Sequence, residues 1–109
     1  MKIIFVRHGQ TSWNLQGKIQ GQTDIPLDNL GTTQTKLLCS RLIKEKIDII
    51  FSSPLTRALN TALPTSNYHE IGVVCSLLLS ERKFGILEGF KPKEVNADLE
   101  KKIILKKTI

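Results

Sequence analysis

The chain has 109 residues, of which 40% are hydrophobic and 24% are charged, and its formal net charge is +6. These values are typical of one small globular domain, and no apolar segment is long enough to span a membrane. Aromatic residues make up only 6%, so the basic balance indicates an attraction for small anions and not a nucleic-acid surface. Cys39 and Cys75 are widely spaced, which predicts two reduced core thiols in a cytoplasmic protein and no metal site.

The first predicted element is the apolar run at residues 3–6, which is typical of a strand buried on both faces of a parallel sheet. Arg7, His8 and Gly9 follow it, at the strand end where such sheets place ligand chemistry. Arginine binds phosphate oxygens through its planar fork of donors, imidazole can attack phosphorus, and glycine permits close backbone approach. A tripeptide of this kind is by itself more often an ordinary strand end than a site.

The next elements predict an alternation of helices and strands. Residues 10–28 contain glycine and proline without clear periodicity, which predicts a short helical turn followed by a loop. Asp28 is expected to cap a helix that ends near Lys46, and residues 47–51 are expected to form a second strand. The apolar face of that helix is predicted to comprise Leu30, Leu37, Leu38, Leu42 and Ile43.

A third helix is predicted after the second strand. Ser53 is expected to cap it with Pro54 at its first position, and Pro64 is expected to end or kink it. The apolar, β-branched stretch at residues 71–77 predicts a third strand. Strands that alternate with helices indicate an α/β fold with a mostly parallel sheet and flanking helices. Three strands are few for such a sheet, so the domain looks cut off before it is complete.

Two polar elements of the first loop are candidates for binding an anion. Asn14 lies close to the Arg-His pair if residues 10–14 make a helical turn. Gln20 and Gly21 offer a flexible backbone whose N–H groups could bind an anion. Each feature also has an ordinary structural explanation, since an asparagine often caps a turn.

Two charged residues extend this group to the later strands. Arg57 lies in the first turn of the third helix, beside a helix N-terminus that favours phosphate. Glu81 follows the third strand, where a carboxylate can act as general acid or base. Taken singly, each is more often a solvated surface charge. Together with Arg7 and His8 they place one nucleophile, two guanidiniums and one acid at successive strand ends, as a phosphoryl-transfer site requires.

Four segments then resemble one known family. "RHGQTSWN", "QGQTDIPLDNLG", "FSSPLTRALNTA" and "SERKFGILEG" are similar, in this order, to signature blocks of the histidine phosphatase superfamily, the phosphoglycerate mutase-like clan. The resemblance implies that His8 is the nucleophile and Glu81 the proton donor. It also implies that Arg7, Arg57 and Asn14 bind the phosphoryl group, and that no cofactor or metal is needed.

The sequence departs from the family pattern in its last part. The family carries a second catalytic His in a late His-Gly block, which has no counterpart here, and His69 lies too early to replace it. Residues 1–90 are therefore expected to form the N-terminal part of a histidine phosphatase domain. Residues 91–109, with six lysines against three acidic residues, are expected to form a helical or disordered tail.

The resemblance implies a phosphomonoesterase that acts on a small phosphorylated metabolite through a phosphohistidine. Two alternatives remain open. A mutase would return the phosphoryl group to a second alcohol, and a remnant without the second His would bind phosphate without turnover. No nucleic acid or membrane is expected as a partner, and these motifs fix neither the substrate nor the oligomeric state.

Overall fold

The computed structural model of the chain describes residues 1–92, so nearly all of the expected lysine-rich tail lies outside the described residues. Helix α1 spans Ser12–Gln16, α2 spans Asn29–Leu42 and α3 spans Thr56–His69. Strand β1 spans Ile50–Ser52 and β2 spans Val73–Cys75. Two short 3₁₀ turns follow, at Leu77–Leu79 and Gly85–Leu87.

The two strands form a parallel pair in which Phe51 lies opposite Val74 and Ser52 lies opposite Cys75. Helix α3 connects them, because parallel neighbours need a crossover and a tight turn cannot supply it. It packs against both strands and against α2. The predicted α/β class is therefore confirmed, with a parallel sheet flanked by helices.

The predicted first strand is wrong for the described structure. Residues 3–6 form no strand, and the Phe5 side chain is 91% exposed. Within residues 1–92, β1 and β2 pair only with each other. An apolar run indicates that a segment favours burial, but a strand also needs a neighbouring strand that completes its ladder of hydrogen bonds.

Helix α2 begins as predicted, because the Asp28 carboxylate accepts a hydrogen bond of 2.7 Å from the Gly31 amide. It ends at Leu42, four residues before the predicted end at Lys46. The predicted apolar face is wrong in part, since Leu30 and Leu37 are exposed. Small residues take their place: Gly31 and Thr35 are the buried positions of this helix.

The predicted cap of α3 is wrong. The helix begins at Thr56, and Ser53 Oγ instead accepts a hydrogen bond of 3.0 Å from Leu55 within the preceding turn. Asp24, from the first loop, caps the helix: its carboxylate accepts from the Thr56 amide at 2.7 Å and from the Thr56 hydroxyl at 2.9 Å. Local sequence could not predict a cap that comes from 32 residues away.

Pro64 does not end α3, which continues to His69. Proline removes the hydrogen bond that the Asn60 carbonyl would accept, and Asn60 is exposed, so water can replace that donor. The Cys39 thiol packs against the same turn, where it donates to the Pro64 carbonyl at 3.5 Å. Cys75 is exposed, which contradicts the prediction that both thiols lie in the core.

Burial in this part of the chain is unusual. Every buried residue between 1 and 92 is either polar or a glycine. Of the side chains in this range that are almost completely buried, the two largest are those of Arg57 and Thr11. None of the helices in this range has both the length and the hydropathy to span a bilayer.

Candidate active site

The segment that carries His8 is bound to the N-terminal half of α3. The Gly9 amide donates to Thr61 Oγ1 at 2.9 Å, and the Thr61 hydroxyl donates to the Arg57 carbonyl at 2.6 Å. Thr61 lies one helical turn after Arg57. Two consecutive hydrogen bonds thus connect the residue after His8 to Arg57, and the residues that the sequence separates by 49 positions share one neighbourhood.

Two glycines allow this segment to lie directly against the start of α2. A Cβ atom on Gly9 would lie 2.8 Å from the Gly31 carbonyl oxygen, and a Cβ on Gly31 would overlap the Gln10 carbonyl oxygen. Gln10 also donates to the Asp28 carboxylate at 2.8 Å. The backbone after His8 is therefore fixed from two sides, by α3 and by the N-terminus of α2.

The orientation of the His8 ring fixes its tautomer. His8 Nδ1 lies 2.7 Å from the Gly9 carbonyl oxygen. A carbonyl oxygen can only accept, so Nδ1 carries the proton in the neutral ring. The lone pair is then on Nε2, which is the form that a nucleophilic imidazole needs.

Arg57 is the central cation of the site. Only 2% of the residue is exposed, and its guanidinium donates to the Thr23 carbonyl at 2.8 Å and to the Gly21 carbonyl at 2.6 Å. A guanidinium has five N–H donors, so these two bonds leave three. No carboxylate oxygen in the described part of the chain lies within 4.0 Å of it.

The carboxylates around Arg57 offset only part of the effect that burial has on its pKa. Burial lowers the pKa of Arg57, while the carboxylates of Glu81, Asp24 and Glu88 raise it from a distance, and the net direction is down. Arginine nevertheless stays protonated in proteins. A buried cation without a direct ion pair favours an anion at its remaining donors.

Thr11 brings the two predicted amide side chains together. It is fully buried; its amide donates to Asn14 Oδ1 at 3.0 Å, and its hydroxyl donates to Gln20 Oε1 at 2.6 Å. The Asn14 amide in turn donates to the Thr11 hydroxyl at 3.1 Å, which caps α1. Both side-chain oxygens thus face Thr11, and both NH₂ groups remain to donate elsewhere.

Gly21 contacts Arg57 through its carbonyl oxygen, and the anion-binding role of its N–H group stays a prediction. It adopts a φ of 54°, a conformation that favours glycine, and its carbonyl accepts from Arg57. A Cβ at this position would lie 2.6 Å from a carboxylate oxygen of Glu88. In this structure Gly21 therefore orients the arginine through its carbonyl.

Arg7 and Glu81 are exposed. Glu81 Oε1 accepts a hydrogen bond of 2.9 Å from the Arg82 amide, and its charge raises the pKa of the buried Arg57. Hydrogen bonds thus connect the backbone after His8 to Arg57, Arg57 to Gly21, and Asn14 to Gln20 through Thr11. Glu81 interacts with Arg57 only through the longer-range effect of its charge.

Sequence reasoning missed three residues that build the site. Thr11 could have been found, because Thr-x-x-Asn at a helix start is a capping pattern. Asp24 and Glu88 carry no comparable local signal. Glu88 accepts from two backbone amides of its own loop and from the Gln22 amide and Thr23 hydroxyl of the first loop.

The sequence comparison decides the family. Residues 3–106 match the sequence profile of the histidine phosphatase superfamily, branch 1. The chain belongs to this superfamily. It is 37% identical over 95 residues to phosphoserine phosphatase 1 of Hydrogenobacter thermophilus, covering 87% of this chain and 45% of that protein. It is 38% identical over 98 residues to a 2,3-bisphosphoglycerate-dependent phosphoglycerate mutase of Hydrogenobaculum, covering 85% and 40%.

A solved structure has the same fold. Phosphoserine phosphatase from Entamoeba histolytica, in complex with 3-phosphoglyceric acid, superposes with a TM-score of 0.80 and 41% sequence identity. The match covers 91% of this chain and 49% of that one. This histidine phosphatase chain thus spans less than half the length of these relatives.

His69 lies outside the site of this histidine phosphatase chain. It is at the C-terminal end of α3, and the 12 residues that separate it from Arg57 amount to about 18 Å of helix. Its Nε2 lies 2.9 Å from the Leu42 carbonyl oxygen, and its ring stands edge-on to Tyr68. His69 therefore serves the contact between α2 and α3.

Proposed function

We propose that this chain carries the phosphoryl-accepting part of a phosphomonoesterase. In the proposed reaction, His8 Nε2 receives the phosphoryl group of a small phosphorylated metabolite and passes it to water. The observation that carries the proposal is the buried Arg57 guanidinium, which keeps unused donors and has no described carboxylate within 4.0 Å. Phosphate oxygens suit such donors because a guanidinium can bind them two at a time.

The binding step uses groups from both loops and α3. Arg57 supplies the positive charge, and the NH₂ groups of Asn14 and Gln20 supply neutral donors. Arg7, which is exposed next to His8, can add a second guanidinium from the solvent side. Donors held in place before the reaction stabilise the charge that spreads over the phosphoryl oxygens in the transition state.

The chemical steps follow from the His8 tautomer. In the first step the Nε2 lone pair forms a bond to phosphorus, the ester P–O bond breaks, and Glu81 gives its proton to the leaving alcohol oxygen. In the second step the ionised Glu81 takes a proton from water, whose oxygen attacks phosphorus. The P–N bond then breaks, and inorganic phosphate and free His8 are released.

The relatives support this reaction class without fixing the acceptor. They include a phosphoserine phosphatase and a phosphoglycerate mutase, and the two reactions differ in whether water or a second alcohol receives the phosphoryl group. We propose water as the acceptor and phosphoserine as the first substrate to test, because the relatives named for phosphoserine are similar in both sequence and structure.

Labelling with ³²P-phosphoserine tests the proposal. The purified chain should acquire a phosphoramidate that is labile in acid and stable in base, and it should release inorganic phosphate. His8→Ala should abolish the label, whereas the matched control His69→Ala should retain it. A label that persists in His8→Ala would refute the assignment, and transfer of the label to an added alcohol in place of water would identify a mutase.

A phosphate-binding chain without turnover is the second candidate. It is favoured by one observation: within residues 1–92 the site contains a single imidazole, that of His8, since His69 lies at the far end of α3. Saturable binding of inorganic phosphate that requires Arg57, together with no label on His8 and no phosphate release, would select this candidate.

A further inference from the structure

The Glu88 carboxylate connects the two loops that form the site. On its own loop it accepts hydrogen bonds from the amides of Phe84 at 3.1 Å and Gly85 at 3.2 Å. On the first loop it accepts from the Thr23 hydroxyl and from the Gln22 amide, the latter at 3.4 Å. One half-buried side chain thus joins segments that lie more than 60 residues apart.

The first-loop residues bound by Glu88 also hold Arg57. The Gly21 and Thr23 carbonyls accept from the guanidinium, and both residues contact Glu88. A pair of backbone hydrogen bonds adds to the connection, since Gly89 donates to the Ile19 carbonyl at 2.8 Å and the Ile19 amide donates to the Phe90 carbonyl at 2.8 Å. A displacement of Glu88 would therefore move the carbonyls that orient Arg57.

The ionisation of Glu88 is consistent with this geometry. Burial alone would raise its pKa, but hydrogen bonds from Thr23, Phe84, Gln22 and Gly85 outweigh that effect and lower it. Glu88 is thus a carboxylate at neutral pH, and hydrogen bonds to an ionised acceptor are about twice as strong as neutral ones.

We propose that Glu88 is a positioning residue for the phosphoryl site. It holds the Gly21–Thr23 turn against the loop that carries Glu81, and through that turn it fixes the direction of the Arg57 guanidinium. Glu88 itself touches no substrate. The proposal rests on the proposed function, because it assumes that Arg57 binds the phosphoryl group.

The direction in which phosphate affinity changes when Glu88 is removed distinguishes positioning from a simple charge effect. Glu88 is a negative charge close enough to Arg57 to raise its pKa. If Glu88 acted only through that charge, its removal would strengthen the binding of an anion. If it positions Arg57, its removal weakens that binding, since the guanidinium loses its orientation.

The test is a calorimetric titration of the full chain with inorganic phosphate. Glu88→Ala should weaken phosphate binding by about 5- to 30-fold, the usual scale of coupling between contacting residues. In an Arg57→Ala background the same substitution should have no further effect. Glu70→Gln, an exposed glutamate at the far end of α3, is the charge-matched control and should bind phosphate as the wild type does.

A second variant covers the case in which Glu88→Ala does not fold. Glu88→Gln keeps the shape, and the Thr23 hydroxyl can turn to accept from the new NH₂ group. Its phosphate affinity should fall between those of the wild type and Glu88→Ala. Phosphate binding at or above the wild-type level in either variant would overturn the positioning role. A normal affinity in Arg57→Ala would instead overturn the proposed function.

Discussion

Polar side chains are buried around Arg57, whereas apolar side chains are exposed on one face of the sheet. This is the reverse of the usual distribution in a globular protein. Arg57 is 2% exposed and Thr11 is fully buried. Phe51 and Val74, which lie opposite each other in the sheet, are 60% and 50% exposed. Strand alternation places this pair on one face and the buried Ser52 on the other.

This difference shows which interactions organise the described part of the chain. The buried region is held by specific hydrogen bonds between loops and helix ends, and a polar network of this kind stabilises one arrangement only if nearly all its members have partners. The exposed apolar residues Phe51 and Val74 need no such partners. A buried cation with unused donors, such as Arg57, is typical of a ligand site.

The largest expected effect comes from removing the central cation. Arg57→Ala should weaken the binding of inorganic phosphate and lower any turnover by about 10²- to 10³-fold, the usual cost of losing one preorganised donor. Arg57→Lys should restore only part, because an ammonium group cannot make the planar fork. Calorimetry and phosphate release measure both. Arg41→Ala, in the last turn of α2, is the control and should change neither.

The next effect concerns the buried hydroxyl that orders both amide side chains. Thr11→Val preserves shape but leaves the Asn14 amide and Gln20 oxygen without their partner. We expect a loss of about 1–3 kcal/mol in the free energy of unfolding, measured by denaturant titration. Thr33→Val removes an exposed hydroxyl bonded to its own helix and should cost less than about 0.5 kcal/mol. Equal losses in the two variants would contradict a special role for Thr11.

The smallest effect is expected on the apolar face. Phe51→Thr removes a large ring that is mostly exposed and puts a β-branched residue, which also favours strands, in its place. The free energy of unfolding should change by less than about 0.5 kcal/mol, while binding of a hydrophobic dye should fall. A destabilisation above about 2 kcal/mol would mean that Phe51 is buried against another surface in solution.

Sequence reasoning succeeded where a feature depends on neighbouring residues. The Asp28 cap, the short helical turn before the first loop and the parallel order of β1 and β2 all follow from local patterns. It also selected Arg57 and Asn14, which are hydrogen-bonded in the described structure, while the catalytic and binding roles of His8, Asn14 and Arg57 stay predictions. Phosphate chemistry limits which residue types can serve, so few candidate side chains were left in each segment.

It failed where a partner comes from elsewhere in the chain. The cap of α3 depends on Asp24 in a different loop, so the local Ser-Ser-Pro signal misled. Residues 3–6 have the composition of a buried strand but no described neighbour, which composition cannot reveal. Glu88 resembles any loop glutamate until the fold brings Gln22 and Thr23 to it.

The mutual contact of Gly9 and Gly31 has a consequence for how this sequence can vary. Each position is blocked by a main-chain atom of the other segment, either the Gly31 carbonyl oxygen or that of Gln10. A substitution changes side chains and leaves main-chain atoms in place. No side-chain change elsewhere can therefore make room for alanine at position 9 or 31. The two glycines are therefore expected to be retained together in descendants of this chain.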